Sequence, residues 1–255
     1  MNIGQKKTFL GAQIIWLLAL LLILVVMAGG PGVHLGLWAP IDGFVLSLKG
    51  GFMGGIALAG LSLLVIVIMA VKKTCRGLGK AILALCIGLL LAAPVAYLRL
   101  SGGGGVPAIH DITTDLVNPP KFIALVGKRG EGANSLEYDS EKLIPLQKEF
   151  YPNIGPIMTS ADPQAAFIQA RDVAADLGWV ILGLDTSEIE FGAGRFEATD
   201  YSFWFKFADD IVVVVKETET GSQIDLRSVS RVGVSDLGVN AKRIKSFQDS
   251  FSAKP

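Results

Sequence analysis

The sequence predicts an all-α three-helix transmembrane region followed by an exported α+β domain, and three observations lead there. Hydrophobic residues make up 51% of the 255 residues, more than a purely soluble chain carries. Charge is divided unevenly. Of 23 Lys+Arg and 23 Asp+Glu, the first hundred residues hold 8 and 1, leaving 15 and 22 for the rest, so a +7 region precedes a −7 domain. Finally, long apolar runs give way beyond residue 100 to helix-period stripes and short strand-like runs. The predicted boundaries are 1–100 for the spans, 101–106 for a Gly-rich linker and 107–255 for an extracytoplasmic domain. An acidic domain lacks the clustered Lys/Arg that nucleic acid or an anionic lipid surface requires, so no nucleic acid partner is expected.

The apolar segments Phe9–Gly29, Phe52–Val71 and Ala81–Leu98 each approach the roughly 20 residues that cross about 30 Å of hydrocarbon. The first exceeds the h-region of a signal peptide and two more follow it, so it reads as a span. Gly51, Gly55 and Ala59 recur at four-residue spacing and give the second span a small-residue face. That face suits close packing inside the bundle, with helix dimerisation as the alternative. Pro94 is expected to kink the third span. Lys6 and Lys7, and the loop "KKTCRGLGK", face the cytoplasm by the positive-inside rule, since the loop between spans one and two offers only Lys49. Three spans then put the C-terminal domain outside a cytoplasmic (inner) membrane, with the lipid bilayer as a partner. The cysteines, Cys75 and Cys86, both precede that domain. The loop "GPGVHLGLWAPIDGFVLSLKG" reads as an apolar segment lying along the outer interface.

Within the domain, Val106–Ile157 is rich in Pro, Asn and Gly and reads as an irregular wrapping segment with short strands such as Phe122–Val126. A helix starts at Asp162, with Asp as N-cap and Pro163 at the first helical position, and stops at Gly178. Strand-like runs follow at Trp179–Leu184, Glu188–Phe191, Arg195–Phe207, Ile211–Glu217 and Ser222–Arg231, with "ADD" and "TETGS" as turns. "IVVVV" is apolar on both faces, which calls for a central strand covered on two sides. A last helix begins near Ser235 or Asp236 and buries Leu237, Ala241, Ile244, Phe247 or Gln248, and Phe251. The expected fold is an antiparallel sheet of four or five strands with two helices on one face.

"HDITTDLVNPPKF", "RFEATDYSFWFKFADDIVVVV" and "DLRSVSRVGVSDLGVNAKRIKSF" together resemble the domain of unknown function 1499 family, a bacterial group often preceded by membrane spans. The resemblance covers about Pro107 to Phe251 and implies a fold unit and an envelope location. It carries over no catalytic residue.

No cofactor motif is read, and the chemistry-bearing residues favour binding over catalysis. His110 is the one histidine of the domain, so a metal site with Asp111 and Asp115 would be nearly all carboxylate, and a structural turn is the stronger reading. No nucleophile elbow or Walker loop is present. Asp209 and Asp210 are adjacent, so on a strand they point to opposite faces and in a turn they cap; Glu188 and Glu190 share a face of an alternating strand. If "YSFWFKF" is extended, Phe203, Phe205 and Phe207 share one face, as core, as the wall of an apolar pocket, or as a surface resting on the bilayer. The stretch Asp225–Phe247 supplies the other candidate, Arg227, Ser230, Arg231 and Asp236. Either Asp236 caps the last helix while Arg231 or Arg227 pairs with an acid such as Asp225 or Asp236, or Arg227, Arg231 and Ser230 clamp a ligand carboxylate or phosphate beside that helix start. The chain is therefore expected to be a membrane protein whose exported domain is a binding or accessory module of the cell envelope, with an envelope protein or a small anionic or apolar ligand as partner. The alternative is an envelope enzyme acting on a lipid or cell-wall saccharide.

Overall fold

A computed structural model describes residues 8–74, 76–102, 105–186 and 193–254. It divides into two compact units, Met1–Gly104 with Phe203–Lys206, and Gly105–Ser202 with Phe207–Pro255.

The first unit is built on three helices, α1 (Leu10–His34), α2 (Pro40–Val71) and α3 (Leu78–Leu100), each long and apolar enough to cross a membrane. Their small residues set the packing. A Cβ on Gly55 would lie 2.5 Å from the Gly88 carbonyl oxygen, and one on Gly88 would lie 2.6 Å from that of Gly55, so α2 and α3 meet backbone to backbone. The small-residue face of the second span thus packs inside its own bundle. One expectation is corrected here. The chain between the first two spans is not a long interfacial loop, because α1 runs on to His34 and α2 begins at Pro40. Pro40 occupies the first helical position, where its missing N–H is no loss. Ser47 Oγ donates to the Val26 carbonyl at 2.7 Å and Trp38 Nε1 to that of Gly29 at 2.8 Å, tying the two helices where Gly29 and Gly43 approach.

The second unit is α+β. Its elements run β1 (Asp111–Thr113), α4 (Ser140–Phe150), β2 (Ile157–Thr159), α5 (Pro163–Asp176), β3 (Val180–Asp185), β4 (Ala193–Tyr201), β5 (Ala208–Thr218), β6 (Gly221–Ser230) and α6 (Val239–Ala253). The sheet is antiparallel, ordered β1-β6-β5-β4-β3, with β2 also pairing β6. Among the described residues six strands form, because Asp111–Thr113 and Ile157–Thr159, too short to read locally, both add to β6. One face packs Ile211, Val213, Val215, Ile224 and Leu226 against Phe167, Val173, Ile244 and Phe247 of α5 and α6. The other packs Val212 and Val229 against Phe122 and Leu125. β5 is thus a central strand covered on both sides, as its apolar run requires.

Several local expectations change. Asp162 does cap α5, accepting from the Ala165 amide at 2.9 Å. α4 is an additional helix inside the segment read as irregular, capped by Asp139 and interrupted in the sequence pattern by Pro145. Phe122–Val126 is a turn rather than a strand, since the Glu197 carboxylate takes the amides of Ile123, Ala124 and Leu125 at 2.6, 3.1 and 2.8 Å. β4 ends at Tyr201, and Asp209–Asp210 lie in β5 instead of a turn. The last helix starts at Val239, three residues after Asp236. The expected strand Glu188–Phe191, with Glu188 and Glu190, lies outside the described residues.

Candidate functional site

Alternation along β4, β5 and β6 places Asp210, Thr199 and Arg227 on the face opposite α5 and α6, and the segment 114–139 folds over them. Between that segment and the sheet lies an open cleft of about 960 Å³, lined by Lys121, Phe122, Val126, Arg129, Tyr138 and Arg227 among others. Buried, paired charge lies beneath the cleft.

Arg227 is its floor. The side chain is 2% exposed; Nε and Nη2 donate to the two Asp111 oxygens at 3.0 and 2.7 Å, Nη2 also to the Leu136 carbonyl at 2.8 Å, and Nη1 to that of Pro120 at 3.3 Å. The guanidinium sits 5.5 Å from the Phe122 ring centroid and 5.3 Å from that of Tyr138. Burial pushes the Asp111 carboxyl up, with the Arg227 guanidinium acting against it. These bonds pin both ends of the wrapping segment to β6.

Arg129 reaches the sheet from that segment. Its side chain is 7% exposed, Nε donates to Asp210 Oδ2 at 2.7 Å and Nη1 to the Asn134 carbonyl. Asp210, fully buried, also accepts from Thr199 Oγ1 at 2.7 Å and from Arg231 Nη2 at 2.8 Å. The hydrogen bond to Asp210 raises the Arg231 guanidinium pKa. Two guanidiniums therefore share one carboxylate. Nη2 of Arg129 and the Tyr138 hydroxyl are buried and have no hydrogen-bond partner among the described residues. Burial and the Asp111 carboxylate push the Tyr138 phenol up to about 12, Arg227 acting the other way, so at neutral pH it is a donor.

The residues singled out from the sequence do not converge on one spot. Arg227 on β6 and Arg231 just after it are paired with Asp111 and Asp210 rather than with Asp225 or Asp236. Ser230 Oγ accepts from Asn240 Nδ2 at 2.9 Å on the helix side. Asp236 closes the turn into α6, accepting from the Gly238 and Asn240 amides at 2.8 Å each. Phe203 and Phe205 belong to the turn after β4, within the first unit: Phe203 is 83% exposed and Phe205 meets Phe44 edge to face at 5.4 Å. Phe207 closes that turn, its amide donating to Ser202 Oγ at 2.9 Å. Asp209 faces the other way from Asp210 and takes Arg243 Nη2 at 2.6 Å. Asp115 forms the local turn expected of it, accepting from the Val117 and Asn118 amides at 2.9 Å. Arg129 and Tyr138 had no distinguishing signal in the sequence, since their partners are more than 80 residues away.

The chain is thus an α+β domain with an open cleft on one face of its sheet, following three helices apolar enough to span a membrane. The chain belongs to a family described as protein of unknown function (DUF1499), whose model matches residues 111–251, over half of the chain and from β1 to the end of the α6 stripe. No curated protein and no solved structure matches it.

Proposed function

We propose that this membrane-associated protein presents its second unit outside the cytoplasm as a binding module of the cell envelope, with the cleft over Arg227 and Arg129 as its ligand site. The observation that carries the reading is a cleft of about 960 Å³ whose floor is buried, hydrogen-bonded charge. Such a volume lies at the upper end for small-molecule sites, and a mostly apolar wall with a few fixed polar groups is their usual chemistry. The orientation is supported by the cationic Lys6, Lys7, Lys72, Lys73, Arg76 and Lys80 flanking the spans on one side.

The test is purification of the full chain from native membranes in mild detergent, followed by mass spectrometry of what it retains. The parent should carry a small molecule that Ala133→Trp, which fills the cleft wall, releases. Equal retention by parent and variant would refute the cleft as the site. A reporter active only in the cytoplasm, fused after Pro255, should be silent, and a bright signal would reverse the orientation.

A further inference from the structure

We infer that the cleft binds an oxyanion, a phosphate or carboxylate, that carries an apolar body, with Arg129 Nη2 and the Tyr138 hydroxyl as the donors that receive it. This deepens the binding-module reading and rests on it.

Charge is the first argument. Arg129, Arg227 and Arg231 are compensated by Asp111 and Asp210, three guanidiniums against two carboxylates, in a region where Asp210 and Arg227 are almost completely removed from solvent. A buried charge is tolerated when it is paired and hydrogen-bonded, and here Arg129 and Arg231 draw on the one Asp210 carboxylate, which leaves Arg129 able to meet a second anion. Lys121, Glu131 and Glu137 also line the cleft, and all three are solvent-exposed, where water and salt screen them.

Hydrogen bonding is the second, independent argument. Arg227 spends its donors on Asp111, Pro120 and Leu136, so it supports the site without being free to bind. Arg129 holds Nε and Nη1 in the same way but leaves Nη2 without a protein partner, and the Tyr138 hydroxyl is in the same condition. Buried donors of this kind are seldom left unmade. Both residues line the one cleft; the guanidinium is a donor only and the Tyr138 phenol keeps its proton at neutral pH and can donate it, so an anion satisfies both.

Size and polarity are the third argument. Phe122, Val126 and Leu136 line the same space, and Val126 is 61% exposed. An inorganic ion would leave that apolar wall wet, whereas an aliphatic or aromatic body would cover it.

The experiment is isothermal titration calorimetry of the full chain in a neutral detergent with four probes: hexyl phosphate, hexanoate, inorganic phosphate and hexanol. Hexyl phosphate or hexanoate should bind at least tenfold more tightly than inorganic phosphate, with no detectable binding of hexanol. Tyr138→Phe, which removes one oxygen and leaves the ring in place, should weaken the anionic probe about tenfold, as loss of one hydrogen bond to a charged group does. Arg129→Lys, which can keep a bond to Asp210, should weaken it at least as much. A Tyr138→Phe variant that binds hexyl phosphate like the parent overturns the assignment of donors. Inorganic phosphate binding as tightly as hexyl phosphate overturns the apolar body and identifies a free ion as the source. Hexanol binding as tightly as hexyl phosphate overturns the anion while leaving the binding module standing, and silence from all four overturns this inference; the binding module itself fails only if nothing is retained from native membranes either.

Discussion

Replacing Arg227 by Met tests the physical logic of the domain most directly. The substitution keeps an unbranched side chain of similar length, so the cavity left is small, but it removes the guanidinium from both Asp111 oxygens and from the Pro120 and Leu136 carbonyls. Asp111 is then a carboxylate 4% exposed with no cation bonded to it. Breaking a buried pair by deleting one partner costs about 3–5 kcal/mol. For a domain of this size that is a fall in melting temperature of roughly 6–20 °C. Scanning calorimetry of the full chain in detergent measures it, with Arg171→Met as the control, because that arginine forms only an exposed pair with Asp172 and should change stability by less than about 1 kcal/mol. The deficit should depend on pH in a defined direction. Burial already raises the Asp111 carboxyl above 3.8, and loss of Arg227 raises it further. A carboxyl with a folded pKa above its unfolded one binds protons more strongly in the native state, so folding is penalised fully above the raised value and the penalty fades as pH falls through it toward 3.8. If Arg227→Met melts with the parent at neutral pH, or if its deficit grows on acidification, the pair is not what secures the wrapping segment.

Three further outcomes are expected. Ultraviolet titration of the parent against Tyr138→Phe should assign to Tyr138 a phenol that ionises near 12 instead of 10.0, and because the folded state holds that proton, its contribution to stability is complete below 10.0 and declines as pH rises toward 12. Asp236→Ala removes a turn-closing cap and should cost about 1 kcal/mol in thermal denaturation, whereas Arg231→Ala strips one guanidinium from buried Asp210 and should cost several times more. Gly55→Ala drives a methyl to 2.5 Å from the Gly88 carbonyl oxygen, so it should lower the detergent-solubilised melting temperature of the helical unit by the equivalent of about 1–3 kcal/mol, while Gly60→Ala, with nothing near its Cβ, should not.

Composition and periodicity alone determined the broad plan of this protein. Three apolar runs long enough for a bilayer, the Asp162–Pro163 helix start and the two-sided apolar strand Ile211–Val215 are local signals, and the structure shows the runs as helices long and apolar enough to cross a membrane, the Asp–Pro pair as a helix start and the last run as part of a central strand. The opposite facing of Asp209 and Asp210 was also legible, because side chains alternate along any strand. Their partners were not. Tertiary structure decided that Asp209 meets Arg243 while Asp210 meets Arg129 and Arg231, that Arg227 pairs with Asp111 at a separation of 116 residues, and that Glu197 turns Phe122–Val126 away from a strand by accepting three of its amides. The same holds for Gln147, whose amide bonds both the N–H and the C=O of Thr113 at 3.1 and 2.5 Å from a helix that Pro145 disguises. Backbone groups in an irregular segment must find partners somewhere, but when those partners are side chains from strands far along the chain, no window of sequence contains both halves of the bond. The cleft is made of such bonds, so it exists only once the sheet has brought their two ends together.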